Sequence, residues 1–586
     1  MTSFVHHLRA QVARFGDDRW YALADDRDGE LVELERATFA DLDRRARSAG
    51  AWLARQGMAE EAALLLYPAG LEFLRVFLGC LYSQVIAVPS PLPSTDPRAL
   101  ERAEGIIKDA DIRMVLTDAA NAPLLTSWLR ESGLDGRVAC VATDITALPD
   151  PATWEMPDLG PDTPAYLQYT SGSTSEPRGV LLSHGNLLHN SAQIYTVLGR
   201  PEEGIGAGWL PHYHDMGLIG LLLQPLYAGG SLVFSSPVSF VMKPVLWPRM
   251  ISRYRAGYTV APNFAYEWLV RGVKDDQLAD LDLSSLAWAL NGAEPVRTAT
   301  LEKVVRRFGP VGFRREAWAP GYGMAEATLL VTGTERGHGP VVGRFDAAAL
   351  EQGRAEPSAP GGRSGPVGRE GNSVELVACG RPIDLTVRIV RPESAEPLPD
   401  GRIGEIWVAG GSVALGYWQR AEPSEETFRA RLSTGEGPFL RTGDLGFLRD
   451  SELYVTGRLK DLIIVNGRNI YPQDVEEASR GVHPAARAAA AFGVESGREH
   501  VVLVQEVRPK DLGDLTYEGL ARKIKGELAR AFGLPSMNVV LVQRGGVGKT
   551  TSGKIQRRRM RAAFLAGEIS PLHAELEPEL RALTGG

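Results

Sequence analysis

Lysine is scarce in this chain, with ten residues against 54 arginines. Cysteine is scarcer: Cys80, Cys140 and Cys379 stand far apart without a CxxC spacing. That pattern gives neither a disulfide framework nor a cysteine zinc site, and it fits free buried thiols in a reducing cytoplasm. A surplus of positive charge is also missing. A net charge of −8 and a pI of about 5.8 offer no electrostatic grip on nucleic acid or anionic lipid. The opening MTSFVHHLRAQVARFGDDRW lacks the apolar core of a signal peptide. No long hydrophobic run is uninterrupted. Residues 216–242 carry no charge, but Pro225, Gly229, Gly230, Ser235, Ser236 and Pro237 break them up. The segment therefore reads as buried strands and turns, with no stable membrane insertion.

What is present is the composition of a soluble globular protein, 44% apolar and 23% charged. At 586 residues the chain exceeds one ordinary core, so two or more domains are expected. Thr38 opens a capping-box-like TFAD, and Phe39, Leu42, Ala46, Ala49 and Leu53 follow at helical spacing until Gly57. AALLLYP (62–68), VIAVPS and MVLTDA (114–119) read as strands, with a helix over 71–84. Strands alternating with helices imply βαβ units and a largely parallel sheet. Between 401 and 460 the texture becomes short alternating strands, and Asn466-Gly467 fits a type I′ hairpin turn. Residues 351–373, rich in Gly, Pro and Ser, read as a long loop or insertion. Beyond about 460 the pattern is that of a compact α+β domain ending in the basic run Arg557-Arg558-Arg559.

The polar segment TSGSTSEP (170–177) lies between the strand-like AYLQY and GVLLS. Its glycines permit close backbone approach, and Thr170, Ser171, Ser173 and Thr174 set hydroxyls beside backbone N–H groups. It is either an anion-wrapping loop or a polar surface turn. A Walker A loop is not present there, and the C-terminal GGVGKTTSGK fails that pattern in both registers. With Gly548 as the second glycine the first position is Gln543; with Gly553 as the second, Ile555 replaces the required Ser/Thr. His212, His214 and Asp215 in PHYHDMG invite a metal reading, but the i, i+2 spacing and the lack of another His/Cys cluster argue against zinc.

TSGSTSEPRG, GYGMAE (321–326), RTGD (441–444), GRLKDLIIVNGRNIYPQDVE (457–476) and TSGK (551–554) occur in the order seen in adenylate-forming enzymes. The chain resembles that superfamily of acyl-CoA synthetases, luciferases and peptide-synthetase adenylation domains. WLPHYHDMGLIG (209–220), PNFAYEW (262–268), LNGAEPV (290–296) and PGYGMAEATLL (320–330) are similar to one subgroup, the fatty acyl-AMP ligases. The resemblance covers essentially the whole chain.

It implies an α/β fold: a large N-terminal domain of βαβ layers plus a small β-barrel-like part, over 1–457, with an inserted segment at about 345–379. A hinge at 458–461 and a mobile small α+β domain over 462–586 would follow. The implied activity is ATP-dependent conversion of a fatty acid to acyl-AMP with release of pyrophosphate. The acyl group then passes to the phosphopantetheine thiol of an acyl carrier protein or of a carrier domain in a polyketide or peptide synthetase. The protein would be cytoplasmic. By this resemblance Thr170, Ser171, Gly172, Ser173 and Thr174 hold the β- and γ-phosphates, and Arg178 replaces the usual lysine. Gly292, Ala293, Glu294, Tyr322, Gly323 and Met324 surround adenine and α-phosphate. Glu326 helps hold Mg²⁺, Asp444 accepts from the ribose hydroxyls and Arg458 supports the same sugar. Lys554 bridges the fatty carboxylate and the AMP oxygens, His214 gates the carboxylate and Lys460 is the hinge residue. Met216, Leu218, Ile219, Phe264, Tyr266 and Trp268 are the acyl-tunnel walls.

Three rivals share these motifs. A long-chain acyl-CoA synthetase differs only in the thiol, and the inserted segment favours the carrier-protein ligase over it. An amino-acid-adenylating domain needs a charged anchor, for which PNFAYEWLV offers only Glu267. A non-catalytic acyl-adenylate-binding protein would not require Lys554, Asp444, Arg458 and Glu326 together.

Overall fold

A computed structural model describes residues 2–94, 97–170, 177–199, 204–358, 373–465, 468–496, 498–532, 537–550 and 553–583. Two compact units emerge: one of residues 1–341, 379–387 and 407–441, the other of 342–378, 388–406 and 442–586.

In the first unit the expected βαβ reading is realised. Strands Ala62–Leu66, Ile86–Ser90 and Met114–Thr117 pair in parallel within a seven-stranded sheet, with helices Leu71–Tyr82 and Pro97–Asp109 between them. Their residues are buried on both faces, which is why they read as unbroken apolar runs. Helix Phe39–Arg55 starts as its sequence announces: Thr38 Oγ1 accepts the Asp41 N–H at 3.1 Å, and Asp41 Oδ2 accepts the Thr38 N–H at 3.1 Å. Its Ala49 meets the second helix at Gly79, where an added Cβ would lie 2.7 Å from the Ala49 Cβ. A nine-stranded sheet is parallel from Trp318–Gly323 through Trp288–Gly292, Tyr258–Pro262, Ile205–Gly208 and Ser231–Phe234 to Trp20–Arg27.

The second unit holds the hairpin of Val342–Asp346 with Ser373–Val377 and most of a five-stranded sheet that includes Leu440–Arg449 and Glu452–Arg458. It also holds a four-stranded sheet built on Ala486–Glu495 and Glu499–Val507, packed with helices Pro472–Gly481 and Tyr517–Phe532 around Val475, Leu503, Leu520, Ile524 and Val539. The predicted Asn466-Gly467 turn lies outside the described residues, although strands Ile463–Val465 and Arg468–Ile470 flank it as a hairpin would.

One expectation is overturned. The uncharged segment 216–242 is mainly helical: a π-helix Met216–Leu223, then helices Gln224–Ala228 and Pro237–Met242, with only Ser231–Phe234 as a strand. A short apolar run does not distinguish a buried helix from a buried strand, and MGLIGLLL is leucine-rich with a single β-branched residue. Among the described residues, no helix is long and apolar enough to cross a membrane.

Candidate active site

In the first unit, Pro262 is level with Gly292 and Asn291 with Pro320, so three parallel strands end together. The carboxyl edge of such a sheet is a natural ligand site, because the loops leaving it present backbone groups to one crevice. Gly292, Ala293, Glu294, Tyr322, Gly323 and Met324 all lie at this edge. Backbone geometry sets two of them apart. Ala293 holds a φ of +64°, a strained conformation for a residue with a Cβ. Gly323 has no room for a side chain, since a Cβ there would lie 1.7 Å from the Leu329 carbonyl oxygen. The chain then turns, with the Met324 N–H donating to Leu329 O at 2.9 Å, into the short 3₁₀ segment Ala325–Ala327 that carries Glu326. Glu294 Oε1 accepts the Phe264 N–H at 2.5 Å and so ties the start of helix Asn263–Gly272 to the same edge.

Glu326 is held by neighbours remote in sequence. Tyr417 Oη donates to Glu326 Oε1 at 3.2 Å, and the Ala414 N–H donates to Glu326 O at 2.9 Å. Burial, and then the Glu326 carboxylate, push the Tyr417 hydroxyl upward in pKa, so it remains a donor. Helix His184–Val197 fixes the segment that supplies these groups, since Asn186 donates to Gly411 O and Val413 O at 2.8 and 2.9 Å. Thr328, at φ +68°, is held by its hydroxyl donating to Ser412 O at 2.6 Å.

Thr170 pairs opposite Arg178, and the Arg178 guanidinium carbon lies 5.7 Å from the centre of the Tyr417 ring, within cation–π range. Ser171, Gly172, Ser173 and Thr174 lie outside the described residues. The fold brings Arg178, Tyr417 and Glu326 together; sequence reasoning missed Tyr417, because GYWQR shows nothing beyond an aromatic strand end.

His214 and His212 sit in different surroundings. His214 Nδ1 is 2.6 Å from Asp215 Oδ1, and Asp215 also accepts the Met216 N–H at 2.7 Å at the start of the π-helix. His212 is buried against Phe73, with ring centres 4.1 Å apart, and burial lowers its pKa to about 3. The π-helix passes so close to Pro211 O that a Cβ on Gly217 would lie 2.0 Å from it. Met216, Leu218 and Ile219 are buried. Helix Asn263–Gly272 divides the other expected tunnel residues. Phe264 and Trp268 are exposed, whereas Tyr266 is buried, donates to Leu290 O at 2.8 Å and packs edge-on to Trp318.

In the second unit, Asp444 stands opposite Arg458 in an antiparallel pair, and Arg458 Nε donates to Asp444 Oδ1 at 3.1 Å. Asp444 is oriented further by its own N–H donating to Thr442 Oγ1 at 3.1 Å. Lys460 is exposed in the 3₁₀ turn Leu459–Asp461. Lys554 is tied to Thr550: its N–H donates to Thr550 Oγ1 at 3.0 Å, and its carbonyl accepts the Thr550 N–H at 2.8 Å. At the start of the 345–379 stretch Asp346 caps helix Ala347–Glu351 and Phe345 packs on Phe447 and Tyr454. Glu351 is buried and pairs with Arg468 at 2.7 Å.

Residues 8–418 match the AMP-binding enzyme family. The chain is 42% identical over 555 residues to the medium-chain-fatty-acid–[acyl-carrier-protein] ligase JamA of Moorena producens strain JHB, covering 93% of this chain and 92% of that protein. It is 36% identical over 539 residues to the long-chain-fatty-acid–AMP ligase FadD26 of Mycobacterium marinum, covering 89% and 90%. Among solved structures it is similar to the fatty acyl-adenylate ligase of L. pneumophila in complex with acyl adenylate and pyrophosphate. That likeness has a TM-score of 0.74 at 33% identity and covers 99% of this chain and 98% of the other. With these similarities over its whole length, the chain belongs to the AMP-binding family of adenylate-forming enzymes, as a fatty acyl-AMP ligase.

Proposed function

We propose that this enzyme activates a fatty acid with ATP and then loads the acyl group onto the phosphopantetheine thiol of a cytoplasmic acyl carrier protein. In the first step a carboxylate oxygen attacks the α-phosphorus and pyrophosphate leaves. Charge builds on already anionic oxygens, so positioned cations and donors carry the catalysis. Lys554 supplies a compact ammonium to the carboxylate and α-phosphate, where a planar guanidinium is a poor substitute. The 170–174 segment and Arg178 receive the departing phosphates, Asp444 and Arg458 the ribose, and Gly292 to Glu294 with Tyr322 to Met324 the adenine. His214, braced by Asp215, stands for the carboxylate gate, and Met216, Ile219, Phe264 and Tyr266 for the acyl environment.

Among the described residues no three His, Cys, Asp or Glu side chains gather as a protein-only metal cage would need. A Mg²⁺ held by one carboxylate and by substrate phosphates fits instead, and Glu326, oriented by Tyr417, is that carboxylate. The ion, when bound, neutralises phosphate charge. The large domain over 1–457, the hinge at 458–461 with Lys460, and the small domain over 462–586 would exchange Lys554 for a thiol-accepting face between the two steps.

The observation that carries the choice of acceptor is the 42% identity to a carrier-protein ligase. The test supplies ATP, Mg²⁺ and fatty acids of graded length, follows acyl-AMP, and then adds either CoA or a holo acyl carrier protein. Thioester on the carrier is expected. Strong acyl-CoA formation overturns the acceptor, and no acyl-AMP with any acid overturns the activity.

A further inference from the structure

The basic run Arg557-Arg558-Arg559 is not used by the chemistry above, and a solvated tail would be its simplest explanation. The structure gives it another role. Arg557 begins helix Arg557–Leu565 and meets Glu476 fork to fork, with Nε donating to Oε1 at 2.7 Å and Nη2 donating to Oε2 at 2.9 Å. The Glu476 side chain is only 4% exposed, and its Oε1 also accepts the Ala491 N–H at 3.0 Å. Arg557 Nη1 lies 3.5 Å from Asp461 Oδ2, and Arg558 Nε lies 3.9 Å from Asp461 Oδ1. The Arg557 guanidinium therefore joins the start of its own helix to two other segments, the turn at 459–461 and helix Pro472–Gly481.

Arg557 is three residues beyond Lys554, and little slack separates them. Ile555 bridges to Lys549 across the loop, and the Gln556 N–H donates to Gly548 O at 2.9 Å. The loop bearing Lys554 is thus pinned on one side by backbone pairing and on the other by the Arg557 fork. A bidentate guanidinium–carboxylate pair fixes direction as well as distance, and arginine stays charged when buried.

We propose that Arg557 is a positioning residue for adenylation. Through Glu476 and Asp461 it sets the backbone that presents Lys554 and ties that backbone to the segment where the hinge is expected. The proposal rests on the reading of Lys554 as the adenylating lysine.

The test separates the two half-reactions in the full-length enzyme: acyl-AMP formation from ATP and fatty acid, and transfer from preformed acyl-adenylate to a bacterial holo acyl carrier protein. Arg557→Gln and Glu476→Gln should each lower kcat for adenylation by about tenfold or more, leaving the ATP KM and the transfer rate within about threefold. Added to Lys554→Ala, Arg557→Gln should cost nothing further, because both remove one interaction. Equal loss in both half-reactions, or additive loss in the double variant, overturns the positioning role. Full adenylation by Lys554→Ala alone overturns the underlying reading and this one with it. If Arg557→Gln fails to fold, Arg557→Lys, which keeps the charge and loses the fork, is judged by the same criteria.

Discussion

Tyr417 Oη donates to Glu326 Oε1 at 3.2 Å, while the same ring lies 5.7 Å from the Arg178 guanidinium carbon. One side chain thus orients the carboxylate proposed for Mg²⁺ and lies within cation–π range of Arg178, the cation proposed for the departing phosphates. Tyr417→Phe keeps the ring and deletes the donor. Its expected effect is an apparent Mg²⁺ requirement raised about three- to tenfold, the range of one ordinary hydrogen bond, because the lost donor orients the carboxylate and does not bind the ion, with the fatty-acid KM unchanged. Glu326→Gln should shift the Mg²⁺ requirement further. Titrating Mg²⁺ at saturating ATP and acid measures both, and an unmoved requirement in Glu326→Gln removes that residue from metal binding.

Asp444 and Arg458 form a second fixed pair, with Arg458 Nε donating to Asp444 Oδ1 at 3.1 Å. A carboxylate can accept from both hydroxyls of a ribose diol, whereas an amide presents one acceptor and one donor. Asp444→Asn should raise the KM for ATP by about tenfold, equivalent to about 1.4 kcal/mol, with a smaller change in the KM for fatty acid. Equal changes in both constants would contradict a ribose role.

Burial lowers the pKa of His212 to about 3 and that of His184 to about 4. Both imidazoles are therefore neutral in the folded protein, while the unfolded chain binds protons near pH 6.5. Between those values the unfolded state holds more protons, so stability falls as pH is lowered from about 6.5 towards 4, by up to about 1.4 kcal/mol per pH unit for each group. Above about pH 7.5 neither histidine contributes an appreciable slope. Thermal melts at pH 7.5 and 5.5 measure the effect. His184→Gln should narrow the gap in Tm between the two conditions, and an unchanged gap would show that other groups govern acid sensitivity.

Phe345 is 2% exposed and packs edge-on against Phe447 and Tyr454, with ring centres 5.1 and 5.3 Å away. A tolerated surface loop would not begin in this way. Phe345→Ala should destabilise the second unit by about 3–5 kcal/mol, the usual cost of deleting a buried aromatic ring. Denaturant unfolding followed by a probe in that unit gives the value, and a change below about 1 kcal/mol would show that the cluster repacks.

Much of this arrangement was legible in the sequence, for reasons that differ by element. The parallel strands were readable because burial on both faces leaves continuous apolar runs, as in Ala62–Leu66. The helix from Phe39 was readable because Thr38 and Asp41 carry its capping box within four residues. The segment 216–223 was not, because an apolar run with few β-branched residues and two glycines satisfies a strand or a helix equally well until its neighbours are known. Here a close pass against Pro211 and the cap from Asp215 accompany a π-helix.

The sequence by itself determined the family, through ordered motifs that include Glu326, Asp444, Arg458 and Lys554. Only the tertiary structure decided how those groups are held. Tyr417 reaches Glu326 from 91 residues away, and Arg557 finds Glu476 from 81 residues away. Neither pairing has a local signature, because hydrogen bonds and ion pairs between distant segments are selected by packing, not by spacing along the chain. A run of arginines that reads as a solvated tail is therefore, once folded, the brace beneath the lysine.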